Sequence, residues 1–181
     1  MTAVAIVMLV GTAAAQKGTL TDSRDGKKYK TVKIGRQTWM AENLNYQTES
    51  GSWCYDNDDS KCKQYGRLYD WTTALNEACP SGWKLPEKTD WDALLTFLKA
   101  NDFVADKLRK YGFSDQLGGS LDDGRFERID YGQGFWWMAT THDRNENRAY
   151  CLLVGACCEW DYEYLSGAKS GTGYSVRCIQ K

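Results

Sequence analysis

Two segments far apart in this chain constrain its fold more than any other feature. One is Cys79-Pro80-Ser81-Gly82-Trp83-Lys84-Leu85-Pro86, which leads into an amphipathic run. The other is Ser175-Val176-Arg177-Cys178, close to the end of the sequence. A Cys-Pro-x-Gly-Trp-x-Leu-Pro lead into a helix and a terminal Val-Arg-Cys strand suggest a disulfide between Cys79 and Cys178. Such a bond closes a loop of about 100 residues, which is worth roughly 4–5 kcal/mol on the chain-entropy account. It would tie the last strand to the start of the helical region.

The remaining cysteines gain meaning from what precedes them. Residues 1–15 carry no charge, are mostly apolar and end in Ala13-Ala14-Ala15. They read as a secretory signal, which leaves 16–181 as a single domain and is too short to span a bilayer as a mature helix. The expected location is outside the cell or at its surface. In an exported chain, seven cysteines read as a disulfide framework with one thiol left over. Cys54 and Cys62 bracket the acidic run Asp56-Asn57-Asp58-Asp59 and form the second expected pair. Cys151, Cys157 and Cys158 share the third bond. If Gly155-Ala156 is a two-residue hairpin turn, Cys151 and Cys158 point to one face and Cys157 to the other. Cys151–Cys158 is then the expected pair.

Composition narrows the partners. Lys and Arg number 23 against 24 Asp and Glu, so neither a nucleic-acid surface nor an anionic membrane is favoured. Eight Trp and 11 Tyr supply an aromatic β core and leave rings from which a carbohydrate platform can be built. Short strands are expected over Lys27–Ile34 and Thr38–Ala41, with turns at Asp25-Gly26 and Gly35-Arg36. Asp70 stands at an N-cap position before a helix that Pro80 stops. Thr89 is the N-cap candidate of the next helix, whose Trp91, Leu94, Leu95 and Leu98 fall on one face. A shorter helix is expected over Phe103–Tyr111. Further strands are expected over Phe135–Thr140, Ala149–Val154, Glu159–Leu165 and Tyr174–Ile179, with turns at Gly118-Gly119 and Asp123-Gly124.

Candidate chemistry is sparse. Asp56-x-Asp58-x-Ser60 begins like a calcium loop, but the glycine and glutamate that should complete it are missing. Trp160, Tyr162 and Tyr164 alternate with Glu159, Asp161 and Glu163, so one strand face is aromatic. Those rings either stack on sugars or face the core, and the ordinary half-buried strand favours the core. Trp136 and Trp137 must point to opposite faces, which makes Trp136 a surface candidate for binding. His142 has no second histidine or nucleophile motif beside it, so neither a triad nor a histidine-rich zinc site is supported. Carboxylates are abundant, but no spacing in the sequence sets the separation that glycoside hydrolysis needs. No catalytic residue, metal or cofactor is expected.

Several segments together resemble the Fibrobacter succinogenes major paralogous domain family. They are Thr21 to Gly35, Gln37 to Asn45, Tyr65 to Tyr69, Cys79 to Trp91, Leu117-Gly118-Gly119, Trp136-Trp137 and Ser175 to Cys178. The resemblance implies an α+β, C-type lectin-like fold: a twisted, mostly antiparallel sheet with two or three helices and long loops, stapled by disulfides. It also implies a binding or structural role outside the cell rather than a reaction. Plant-wall polysaccharide or another surface protein is the expected partner. The rival reading comes from the formylglycine-generating oxidases of the same superfamily. They share a Leu-Pro-x-x-x-x-Trp helix start and hold copper between two late cysteines. Here those would be Cys151 with Cys157 or Cys158, since thiolates suit Cu(I).

Overall fold

A computed structural model describes residues 16–98, 104–113, 116–155 and 162–181. The expected signal, residues 1–15, lies outside them. The strands in the first half are β1 (Gln16–Thr21), β2 (Lys28–Ile34), β3 (Gln37–Met40), β4 (Ser52–Trp53), β5 (Leu68–Tyr69) and β6 (Trp83–Lys84). The helices are α1 (Asp59–Tyr65), α2 (Trp71–Thr73), α3 (Lys88–Phe97) and α4 (Val104–Lys110). The second half adds β7 (Ser120–Asp122), β8 (Arg125–Glu127), β9 (Gln133–His142), β10 (Asn145–Gly155), β11 (Tyr162–Ala168), β12 (Thr172–Ser175) and β13 (Ile179–Gln180). The chain is therefore mixed α+β with few helices.

Turn chemistry sets the hairpins. Ile34 pairs with Gln37 across Gly35-Arg36, and Asp122 pairs with Arg125 across Asp123-Gly124. Asp123 and Gly124 both hold positive φ, 43° and 80°, as a two-residue turn matched to strand twist requires. One five-stranded sheet runs β1-β2-β3-β13-β6. The other runs β11-β10-β9-β12-β5-β4, with β7 and β8 attached at β12. Among the described strands every pair is antiparallel except β12 with β9, where Ser175 lies beside Trp136.

The expected terminal strand over Tyr174–Ile179 is split between these sheets. β12 ends at Ser175 in one and β13 starts at Ile179 in the other. Val176, Arg177 and Cys178 cross between them. Met40 N donates to Cys178 O and Leu44 N to Val176 O, each at 2.9 Å, so the crossing backbone stays satisfied.

Helices cover both faces of β9 and β10. On one face Trp136, Met138 and Leu152 pack with Trp91, Leu94 and Leu95 of α3. On the other, Phe135, Trp137 and Leu153 pack with Ala74 and Ala78, which follow α2 in a single π-turn. Trp91, Leu94, Leu95 and Leu98 are all buried, each contributing roughly 1.5–3 kcal/mol. Asp70 caps α2 as expected, its Oδ1 accepting from Thr73 N at 2.8 Å. The cap of α3 differs from expectation. Lys88, not a residue after Thr89, begins the helix, and Asp90 Oδ2 accepts from Glu87 N at 2.9 Å. Pro86 fixes this earlier start: its carbonyl accepts from Ala139 N at 2.8 Å, and Thr140 Oγ1 receives Lys88 N at 2.9 Å.

Among the described residues two disulfides are present, Cys54–Cys62 and Cys79–Cys178. The second spans a sequence separation of 99 with a Cα–Cα distance of 5.8 Å. The expected Cys151–Cys158 bond is not formed. Cys151 is a free, buried thiol, registered between Leu165 of β11 and Trp137 of β9. The physical reason is the register. The ladder sets Cys151 opposite Leu165 and Val154 opposite Tyr162, so the residue that faces Cys151 on β11 is a leucine. Cys157 and Cys158 lie outside the described residues.

Candidate ligand cleft

An open cleft of about 430 Å³ lies where β4, the β7–β8 hairpin and the turn between β11 and β12 meet. Its apolar wall is the half-buried Trp53 and Phe126, set on a small cluster of Tyr55, Leu68 and Leu121. Tyr55 and Phe126 hold each other at 5.3 Å between ring centroids. The Cys54–Cys62 bond closes over the segment that carries Tyr55 and Asn57. Asp58 caps α1 within that loop, accepting from Ser60 N at 2.8 Å. Among the described residues no group of three or more His, Cys, Asp or Glu is arranged to hold a metal ion.

The polar rim is Asn57, Asp70, Thr72 and Lys169. Gly171 brings the far lip close, with φ 81° and Asp123 Oδ1 only 2.9 Å from where a Cβ would stand. Asp123 N donates to Gly171 O at 2.9 Å, which locks the β7–β8 turn against that lip. Apolar faces with a few placed polar groups are the usual makeup of a small-ligand site.

The residues singled out from the sequence sit elsewhere. Trp136 is buried at 4% exposure and is not a surface platform. Both faces of β9 are covered by helices, so opposite-pointing neighbours are both interior, and Trp137 is at 0%. Tyr162 and Tyr164 share one face of β11 and pack half-buried against the α3 side of the core. The Tyr164 hydroxyl donates to Asp92 at 2.6 Å, and Lys88 Nζ lies 4.3 Å from its ring centroid. Burial and the Asp92 carboxylate both push the Tyr164 hydroxyl well above its ordinary range. Trp160 lies outside the described residues.

The copper reading pairs Cys151 with Cys157 or Cys158, and the latter two lie outside the described residues. Cys151 is fully buried, and that burial pushes its thiol up to about 12. A thiol so protonated at neutral pH is a poor nucleophile by itself.

The motif segments converge inside the protein. Asn43 Oδ1 accepts from Trp136 Nε1 and from Arg177 Nε, each at 2.8 Å. Asn43 Nδ2 donates to Tyr65 O and Gln116 O, each at 2.8 Å. The Arg177 guanidinium also donates to Ala41 O at 3.1 Å and lies over the rings of Phe113 and Trp136 at 4.9 and 5.1 Å. Arg177 is 1% exposed and Asn43 2%. Such a hub joins β3, β9 and the chain terminus; it offers nothing to a ligand.

Trp53, Phe126 and Lys169 are the residues that sequence reading missed. The signals were faint: Trp53 precedes a disulfide cysteine, and Phe126 follows the Asp123-Gly124 turn. No curated protein and no solved structure gave a match to the chain. The family description Fibrobacter succinogenes major domain matches residues 32–180. That span includes the hub, both disulfides and the cleft, and the chain belongs to this family.

Proposed function

We propose that this domain is an exported, non-enzymatic binding module that takes a stretch of plant-wall polysaccharide in the cleft between Trp53 and Phe126. The observation that carries this reading is the pairing of those half-buried rings with the polar rim of Asn57, Asp70 and Thr72. Ring faces suit the apolar faces of pyranoses, and side-chain amide, carboxylate and hydroxyl groups suit their hydroxyls. Export is supported by the uncharged apolar stretch 1–15 and by the two disulfides. A C-type lectin-like fold is supported by the long Cys79–Cys178 closure and by the terminal β13 pairing with β3.

Pull-down of the purified domain on cellulose, xylan and pectin tests the reading. Binding to at least one, lost in Trp53→Ala and in Phe126→Ala, is expected. Failure on all three and on a broad glycan array would leave a protein-binding or purely structural role.

A further inference from the structure

We infer that Lys169 makes the cleft selective for acidic sugars, so that its preferred ligand is a uronate-bearing chain rather than a neutral glucan. The inference rests on the cleft reading above and adds the charge of the ligand. Lys169 is anchored through its backbone, its N–H donating to Asn147 O at 2.9 Å. Its ammonium lies 4.1 Å from the Trp71 ring centroid and donates to Thr141 Oγ1 at 3.0 Å. An ammonium has three donors, and Thr141 takes one of them. Among the described residues no carboxylate forms an ion pair with Lys169.

The acid on the same cleft, Asp70, already accepts a backbone hydrogen bond and is not ion-paired to Lys169. Asp70 Oδ1 accepts from Thr73 N at 2.8 Å. Its Oδ2 lies 2.4 Å from where a Cβ on Gly51 would stand, so that oxygen is packed against the Gly51 backbone. Lys169 is thus a half-buried cation with one side on an aromatic ring and, among the described residues, no carboxylate ion-paired to it. A ligand carboxylate would supply a charge-assisted hydrogen bond there, roughly twice as strong as a neutral one. The ligand class that combines an apolar ring face for Trp53 and Phe126 with a carboxylate for Lys169 is a uronic-acid polymer.

Calorimetric titration with galacturonate, xylose and glucose oligomers, and with polyglutamate, tests this. The wild-type domain should favour the galacturonate oligomer, and rising ionic strength should erode that preference. Lys169→Met should reduce the ratio of galacturonate to neutral affinity by about tenfold or more, and Lys169→Arg should restore most of it. Equal wild-type affinity for charged and neutral oligomers overturns the inference while leaving the cleft reading in place. So does an unchanged ratio in Lys169→Met. Polyglutamate binding as tightly as galacturonate also overturns it, because charge alone would then suffice. No binding of any sugar oligomer overturns the cleft reading, and the inference with it.

Discussion

The interior hub and the open cleft are built from the same chemistry and do opposite things. Each combines aromatic rings, a side-chain amide and a cation. In the hub, Asn43, Trp136 and Arg177 satisfy one another and are sealed from water. In the cleft, Trp53, Phe126, Asn57 and Lys169 face a groove. The hub gathers the segments richest in family character, Ala41 to Leu44 and Ser175 to Cys178. The cleft is assembled from turn-borne residues outside those segments. In this chain, then, the motif segments build the framework, and the cleft that we propose binds polysaccharide is built from loops that the framework holds.

Several measurements would break or sharpen that contrast. The largest expected effect is on the framework disulfide. Replacing Cys79 and Cys178 together by Ser should cost about 4–5 kcal/mol of stability in urea unfolding, as loop closure over a separation of 99 implies. Next comes the hub. Arg177→Met removes the guanidinium's hydrogen bonds to Asn43 Oδ1, which keeps Trp136 Nε1, and to Ala41 O, and should cost about 3 kcal/mol, the scale of lost hydrogen bonds to a buried charged group. If it unfolds below the wild-type midpoint by far less, the hub is not the framework's anchor.

The cleft-side disulfide should matter less to stability and more to binding. The Cys54→Ser, Cys62→Ser pair should cost about 2–3 kcal/mol, since its sequence separation is only 8. Loosening Tyr55 and Asn57 should at the same time weaken polysaccharide binding. A variant with full binding would show that the cleft does not depend on that clamp.

Acid sensitivity belongs to the framework too. Asp22 is buried, and burial would raise its carboxyl. Its hydrogen bonds and ion pair with Arg24 outweigh that and hold it below the usual carboxylate range. Arg24 in turn donates to Glu77 O and Ala78 O at 2.7 Å, closing the end of the turn after α2. Because the folded-state value is depressed, this stabilisation is present above the unfolded-state value of 3.8 and is lost as pH falls through the lower folded-state one. Asp22→Asn should flatten the acid limb of a stability–pH curve. The smallest stability effect is expected for Lys169→Met, no more than about 1 kcal/mol for a lost cation–π contact, although it should alter ligand choice most.

Much of the framework could be read from local chemistry. The Gly35-Arg36 and Asp123-Gly124 turns, the Asp70 cap, the buried stripe of α3 and both disulfides depend on a few neighbouring residues or on a cysteine pattern. The α3 start was misplaced because the anchoring partners, Ala139 and Thr140, lie far along the chain. The candidate site was harder. Alternation correctly separates Trp136 from Trp137, but it does not tell that helices cover both faces of β9. It puts Tyr162 and Tyr164 on one face without telling that Asp92 and Lys88 wait there.

What the residues alone establish is therefore the set of elements, their turns and the family framework, because these follow from short-range propensity and spacing. The pairing of Cys54 with Cys62 and of Cys79 with Cys178 belongs with them. What packing had to supply is which rings reach the surface, why Cys151 stays a thiol, and how Lys169 comes to line one cleft with Trp53 and Phe126. Those outcomes depend on which strand, helix or hairpin comes to lie against each face. The cleft brings together β4, β8 and the turn before β12, with Trp53 and Phe126 separated by 73 residues (126 − 53) and Trp53 and Lys169 by 116 (169 − 53), distances over which no local pattern carries information.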